Sequence, residues 1–117
     1  MIKLVALWTE PDDTDAFVDD YALRHFPLAR AMPGLRSAQA YRVIRGPFHW
    51  IAELCFDDLA QLDAARMSEV GLRLTEDARR LQDVHGNRLD VLLMEEAFTD
   101  SGARGNDATG LAGDGSI

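Results

Sequence analysis

Apolar and polar positions alternate over some stretches of the chain and recur every third or fourth residue over others. Residues 2–8, IKLVALW, are a short apolar run closed by Glu10, Pro11 and Asp12, which predicts a first strand. The next stretch, DDTDAFVDDYALRHF, opens with Asp13 or Thr14 as N-cap and puts carboxylates at the positive end of a helix dipole. Phe17, Tyr21, His25 and Leu28 fall within about 80° of one another at about 100° per residue, so His25 shares the inward face of that helix. Pro27 predicts a bend or restart near residue 26, and Pro33-Gly34 a stop.

LRSAQAYRVI and FHWIAELCF are extended segments separated by Arg45, Gly46 and Pro47, a hairpin pattern. Phe48, Trp50, Ala52, Leu54 and Phe56 share one face of the second segment, and His49, Ile51, Glu53 and Cys55 the other. Asp57 or Asp58 caps a helix through Leu59 and Leu62, and a further helical stretch carries Val70, Leu74, Ala78, Leu81 and Val84 before Gly86 and Asn87 end it. RLDVLLMEEAF is the last strand. The order βαββαβ is that of an α+β, ferredoxin-like domain: a four-stranded antiparallel sheet with two helices on one face. It occupies residues 1–98. Residues 99–117 are rich in Gly and Asp and have too few apolar groups to offset their ordering entropy, so a flexible tail is expected there.

In such a domain one sheet face lacks helices and should be polar in a monomer. Here Ile2, Leu4, Ala6 and Trp8 alternate with Val5 and Leu7, and Val91 and Leu93 with Leu92 and Met94, so both faces of the first and last strands are apolar. A second copy of the chain, sheet face against sheet face, is the expected cover.

Composition narrows the function. A net charge of −8 opposes binding to nucleic acid and to anionic membrane surfaces. The start of the chain has no basic region before its apolar run and no small-residue cleavage site after it, and no apolar run is long enough to span a bilayer, so a cytoplasmic location is expected. Cys55, the single cysteine, reads as a small buried hydrophobe rather than a reactive thiol. The three histidines, His25, His49 and His85, have no metal-site spacing, and no glycine-rich phosphate loop joins a strand to a helix; neither metal nor nucleotide cofactor is expected.

MIKLVAL, YALRHFPLARAMPGLR and AELCFDDLAQLDAA resemble the EthD-like family of the dimeric α/β-barrel superfamily, a likeness that runs over residues 1 to about 97. The resemblance implies a homodimer whose sheets form a barrel, with a pocket in each subunit between helices and sheet. Relatives in that superfamily include polyketide cyclases, cofactor-free monooxygenases, muconolactone isomerases and enzymes that decarboxylate or dehydrate aromatic polyketides. By its position in the pattern His25 is the first-helix histidine that faces the pocket. Trp50 stands where some related cyclases have a pocket histidine, and RMSEVGL in the second helical region lacks the histidine those cyclases use as a base, so their dyad does not carry over.

The expected function is therefore cofactor-independent proton-transfer chemistry (cyclisation, isomerisation, dehydration or decarboxylation) on a small hydrophobic polyketide or aromatic intermediate. His25 is the candidate general acid or base, in competition with a purely structural role at the corner. Tyr41 is a candidate oxyanion donor. Phe17, Tyr21, Trp50, Phe56, Met67 and Leu74 are candidate cavity walls, with ordinary core packing as the alternative for each. Lys3 either reaches the pocket or, as favoured here, snorkels to the end of the sheet. His49 points toward a partner or the sheet edge, and His85 complements a helix dipole. Two other functions compete: a non-catalytic binding or accessory protein for a hydrophobic metabolite, and a cofactor-free monooxygenase.

Overall fold

The structure, a computed structural model, describes residues 1–100; the expected tail lies outside the described residues beyond Asp100. Strand β1 (Ile2–Trp8) leads into a helical stretch of three parts: α1 (Thr14–Asp20), a π-helical turn (Tyr21–His25) and α2 (Phe26–Arg30). Strands β2 (Ser37–Arg42) and β3 (Trp50–Phe56) follow, then helices α3 (Leu59–Met67) and α4 (Glu69–His85), and finally β4 (Leu89–Glu95). The sheet order is β2-β3-β1-β4 with every neighbouring pair antiparallel, the ferredoxin-like arrangement.

Local chemistry sets the boundaries. Asp13 is the N-cap of α1, accepting from the Ala16 N–H at 3.0 Å, and Asp58 caps α3 by accepting from Gln61. Gly86 ends α4 in the left-handed region, φ 67°, where a side chain would be strained. The bend or restart expected near residue 26 takes the form of the π turn, after which α2 begins at Phe26. Backbone conformation stays helical through Pro27, and the chain absorbs the proline by widening one turn: the Phe26 N–H donates to the Tyr21 carbonyl, five residues back. The second helical region is divided as its two stretches imply. Ser68 ends α3 with extended backbone, its Oγ donating to the Ala65 carbonyl at 2.6 Å and accepting from the Gly71 N–H at 3.1 Å to start α4.

Pairing fixes the faces. Ala6 stands opposite both Ala52 and Val91, and Trp8 opposite Trp50 and Leu89, so the even residues of β1 look toward the helices. Two clusters fill the space between. One joins Trp8, Phe17, Tyr21, Ala52, Ala78 and Leu81; the other joins Ala29, Met32, Leu54, Phe56, Leu62 and Ala65. On the opposite face lie Lys3, Val5 and Leu7, Ser37, Gln39 and Tyr41, Ile51, Glu53 and Cys55, and Leu92 and Met94. β4 is a sheet edge that this single chain leaves open on both sides, with Val91, Leu92, Leu93 and Met94 exposed by 43, 47, 48 and 42%. Among the described residues no helix is long and apolar enough to cross a membrane.

Candidate active site

The two core clusters do not close on each other. Between them is a cavity of about 130 Å³, of the order that holds one aromatic ring. Its size follows from small residues at facing positions: Ala6 and Ala52 on the sheet, Ala29 after the π turn, and Gly71 and Ala78 on α4 all stop short of the space that a Leu or Phe would fill. Trp8, Met32, Leu54, Leu74, Leu89 and Val91 complete an apolar wall. Tyr21, His25, Arg66 and Thr75 supply its polar side chains.

His25 is buried, with 6% of its surface exposed, and its ring stands edge-on to Trp8 at 5.6 Å and tilted against Tyr21 at 5.1 Å between centroids. Its Nδ1 lies 2.9 Å from Asp77 Oδ2 on α4. Burial pushes the Asp77 carboxyl up, but hydrogen bonds from Arg80 and His25 outweigh it and hold the group below the usual carboxylate range. An ionised carboxylate only accepts, so the proton of this contact sits on His25 Nδ1, and Nε2 keeps its lone pair. Nε2 has no protein partner among the described residues, and the ring lines the cavity. Burial lowers the His25 pKa from its ordinary value, against the pull of Asp77, so the imidazole is neutral at neutral pH.

Asp77 is the first member of a longer chain of charges. Arg80 Nε donates to Asp77 Oδ1 at 2.7 Å, and its Nη1 and Nη2 donate to Asp20 Oδ2 and Oδ1 at 2.9 and 2.8 Å, a two-pronged pair. His85 Nε2 donates to Asp20 Oδ2 at 2.7 Å. Hydrogen bonds from Arg80 bring the Asp20 carboxyl down to about 2, with burial opposing and His85 assisting. The Arg80 guanidinium is raised further above its already high value by the two carboxylates. The chain His25–Asp77–Arg80–Asp20–His85 thus ties the π turn and α1 to α4. It fixes the ring that faces the cavity.

Tyr21 is the second polar group at the inner end. Burial pushes its phenol up to about 12, so it is protonated across the physiological range and able to donate. The π turn puts Tyr21 and His25 side by side. π turns recur at functional sites because a single wide turn re-aims the residues it carries.

Several residues expected at the cavity stand elsewhere. Tyr41 is on the opposite sheet face and 45% exposed, since it pairs with Ile51 in the register that turns Ala38 and Ala40 toward the helices. Lys3 is on that same face, paired with Glu53 at 3.2 Å. Phe17 and Phe56 are fully buried in the core clusters, and Trp50 packs on Phe17 and Tyr21 with Arg42 over its ring at 5.8 Å; none of the three lines the cavity. Met67, at the end of α3, is 74% exposed. Leu74, Tyr21 and His25 are brought together there. His85 does more than complement a dipole, because Asp20 receives its N–H. Cys55 is buried on the face away from His25. Asp77, Arg80 and Asp20 escaped the sequence reading. One signal for them was present: Leu74, Asp77, Ala78 and Leu81 follow the i, i+3, i+4, i+7 rule, which sets a carboxylate in an apolar stripe.

No protein-family model and no curated protein matches the chain. Among solved structures, an ethyl tert-butyl ether D (EthD) family protein from Bacillus halodurans is 30% identical, with a TM-score of 0.76 over 83% of this chain and 99% of that one. The chain belongs to the EthD family. The EthD-family chain also shares its fold with a DABB family protein of ferredoxin-like fold from Mesorhizobium loti, at TM-score 0.67 and 11% identity over 83% of this chain and 97% of that one. SnoaB, a cofactor-independent oxygenase from Streptomyces nogalater, is similar at TM-score 0.65 and 13% identity, over 86% of this chain and 96% of that one. At those identities the likeness is one of fold. Among the described residues no three His, Cys, Asp or Glu side chains converge as metal ligands.

Proposed function

We propose that this EthD-family protein is a cytoplasmic, cofactor-independent enzyme that moves a proton on a small hydrophobic carbonyl or phenolic compound of polyketide or aromatic origin. The observation that carries the reading is His25: a neutral imidazole in an apolar cavity, its Nδ1–H held by an ionised carboxylate and its Nε2 unpartnered. Nε2 takes a proton from a carbon next to a carbonyl, or from a phenol. Asp77 stabilises the imidazolium that results, and the Tyr21 phenol donates to the oxyanion that forms. Return of the proton from Nε2 to a different atom completes an isomerisation or cyclisation; return to a leaving hydroxyl completes a dehydration. In a decarboxylation the carbanion left by CO₂ takes the proton. Oxyanion donation is assigned here to Tyr21 in place of Tyr41.

The test begins with native mass spectrometry of protein isolated from its source, to identify the small molecule it carries. That molecule is then incubated with the protein in an oxygen electrode. An isomer, or a product short of water or CO₂, formed without oxygen uptake is the expected result. Recovery of the unchanged ligand contradicts catalysis, and stoichiometric oxygen uptake replaces this chemistry with a monooxygenation.

We also propose that the working form is a homodimer through the sheet faces. The support is the apolar edge strand β4, exposed on both sides, and its continuity with the half-buried Leu7 and Ile51 on the face away from the helices. A single 13.0 kDa species in sedimentation at micromolar concentration contradicts it.

A further inference from the structure

Besides its neutral imidazole, the cavity is lined by one residue with a charged side chain. Arg66, in the last turn of α3, lines it while making no hydrogen bond or ion pair among the described residues. Glu69, three residues further along the chain, is taken by Arg73 at 3.3 Å, and Asp63, three residues back on α3, makes no ion pair with Arg66. Arg66 is thus an unpaired cation at a cavity whose walls are mostly apolar.

Its placement is fixed by the backbone. Gly71 has no side chain, and a Cβ there would stand on the Ala65 carbonyl oxygen and 2.6 Å from that of Arg66. The glycine thereby lets the end of α3 press against the first turn of α4. Arg66 is accordingly anchored at the level of Gly71 on α4, while His25 is anchored at the level of Asp77. Six residues at about 1.5 Å each put about 9 Å of helix axis between the two levels. A molecule of about that length with its reacting centre at His25 Nε2 reaches the level of Arg66.

We propose that Arg66 is an anion-recognition residue and that the substrate is an arene or fused arene bearing a carboxylate at the end remote from the reacting atom. This rests on the cavity being the substrate site, as above, and names the class of molecule it takes. The guanidinium pairs with the carboxylate through two parallel N–H···O bonds at the exposed mouth. The apolar walls take the ring, and the charge fixes which end of the molecule goes in first. Arg66 orients and selects; it does not touch the reacting atoms.

The probes are 2-naphthoate and its neutral isostere 2-naphthamide, titrated calorimetrically at pH 7.5 and low salt into the wild-type protein and into R66Q, R66K and His25→Ala. Wild type is expected to hold the naphthoate at least about fivefold more tightly than the amide, a modest factor because the pair is partly solvated. The preference should survive in His25→Ala, persist in part in R66K and fall below about twofold in R66Q. Arg66 is exposed, so R66Q should keep its fold. Equal affinity of wild type for the two probes, or an undiminished preference in R66Q, overturns the anion site and leaves the cavity standing as an apolar pocket. Absence of saturable binding for both probes overturns the cavity as a substrate site, and the anion site with it.

Discussion

Replacing Asp77 by Asn takes one acceptor away from a group that serves two donors. Asp77 Oδ2 receives the His25 Nδ1–H at 2.9 Å and Oδ1 the Arg80 Nε–H at 2.7 Å. An amide has one oxygen and one NH₂, so in D77N one of those donors meets another donor. Leaving the charged guanidinium against the NH₂ is the worse choice, and the oxygen is expected to stay with Arg80. The NH₂ then faces His25 Nδ1, which becomes the acceptor and passes its proton to Nε2. The base that faces the cavity is lost without removal of the ring. Losing a hydrogen bond to a charged group costs about 1.5–3 kcal/mol, and the loss falls on the protonated imidazole, so the His25 midpoint moves down. The direction is downward because Asp77 raises the His25 pKa while burial lowers it. Long-range proton–nitrogen correlation spectra of histidine-labelled protein read both quantities. At pH 7.5 wild type should show Nδ1 protonated and Nε2 bare, and D77N the reverse. An unchanged tautomer with an unchanged midpoint in a folded D77N refutes the proposed role of the carboxylate.

The network also bears on stability. Arg80→Met leaves Asp20 and Asp77 as partly buried carboxylates with side chains 16% and 14% exposed, and should cost about 2–3 kcal/mol, or roughly 10 °C or more in Tm, by differential scanning calorimetry. Stability should fall in two steps on acidification: His25 binds a proton more readily unfolded, near 6.5, than folded, so its contribution declines below that pH, and Asp20 follows between 3.8 and about 2. His25→Ala should abolish the upper step, and parallel Tm–pH curves for the two proteins above pH 5 would contradict the assignment. Ala52→Leu puts a larger side chain into the cavity; it should change stability by less than about 2 kcal/mol while eliminating ligand uptake, measured by titration with 2-naphthoate.

Strand pairing, the helix-covered face and the inward turn of His25 could all be read from periodicity, because alternation and the 3.6-residue repeat are direct consequences of burial. The apolar residues of β4, exposed in the single chain, were readable in the same way. What escaped depends on distances between elements. Tyr41 was misplaced because β2 shows no strong alternation of its own, and its face is decided by pairing with β3. Phe17, Phe56 and Trp50 were correct as inward residues, but a cavity depends on where side chains fall short, and its makers are Ala6, Ala29, Ala52, Gly71 and Ala78. The network joining His25 to His85 spans pairs 52, 60 and 65 residues apart. Only a carboxylate in the apolar stripe of α4 hinted at it.

The central claim is that His25 Nε2 moves protons in the cavity. Its most direct test is deuterium wash-in from D₂O at carbons next to the carbonyl in a panel of small aromatic β-diketones and acyl phenols, followed by NMR with wild type and His25→Ala. Wild type is expected to accelerate exchange for at least one member, and His25→Ala to lose that acceleration by roughly 100-fold or more. Equal acceleration by the two proteins would contradict the claim.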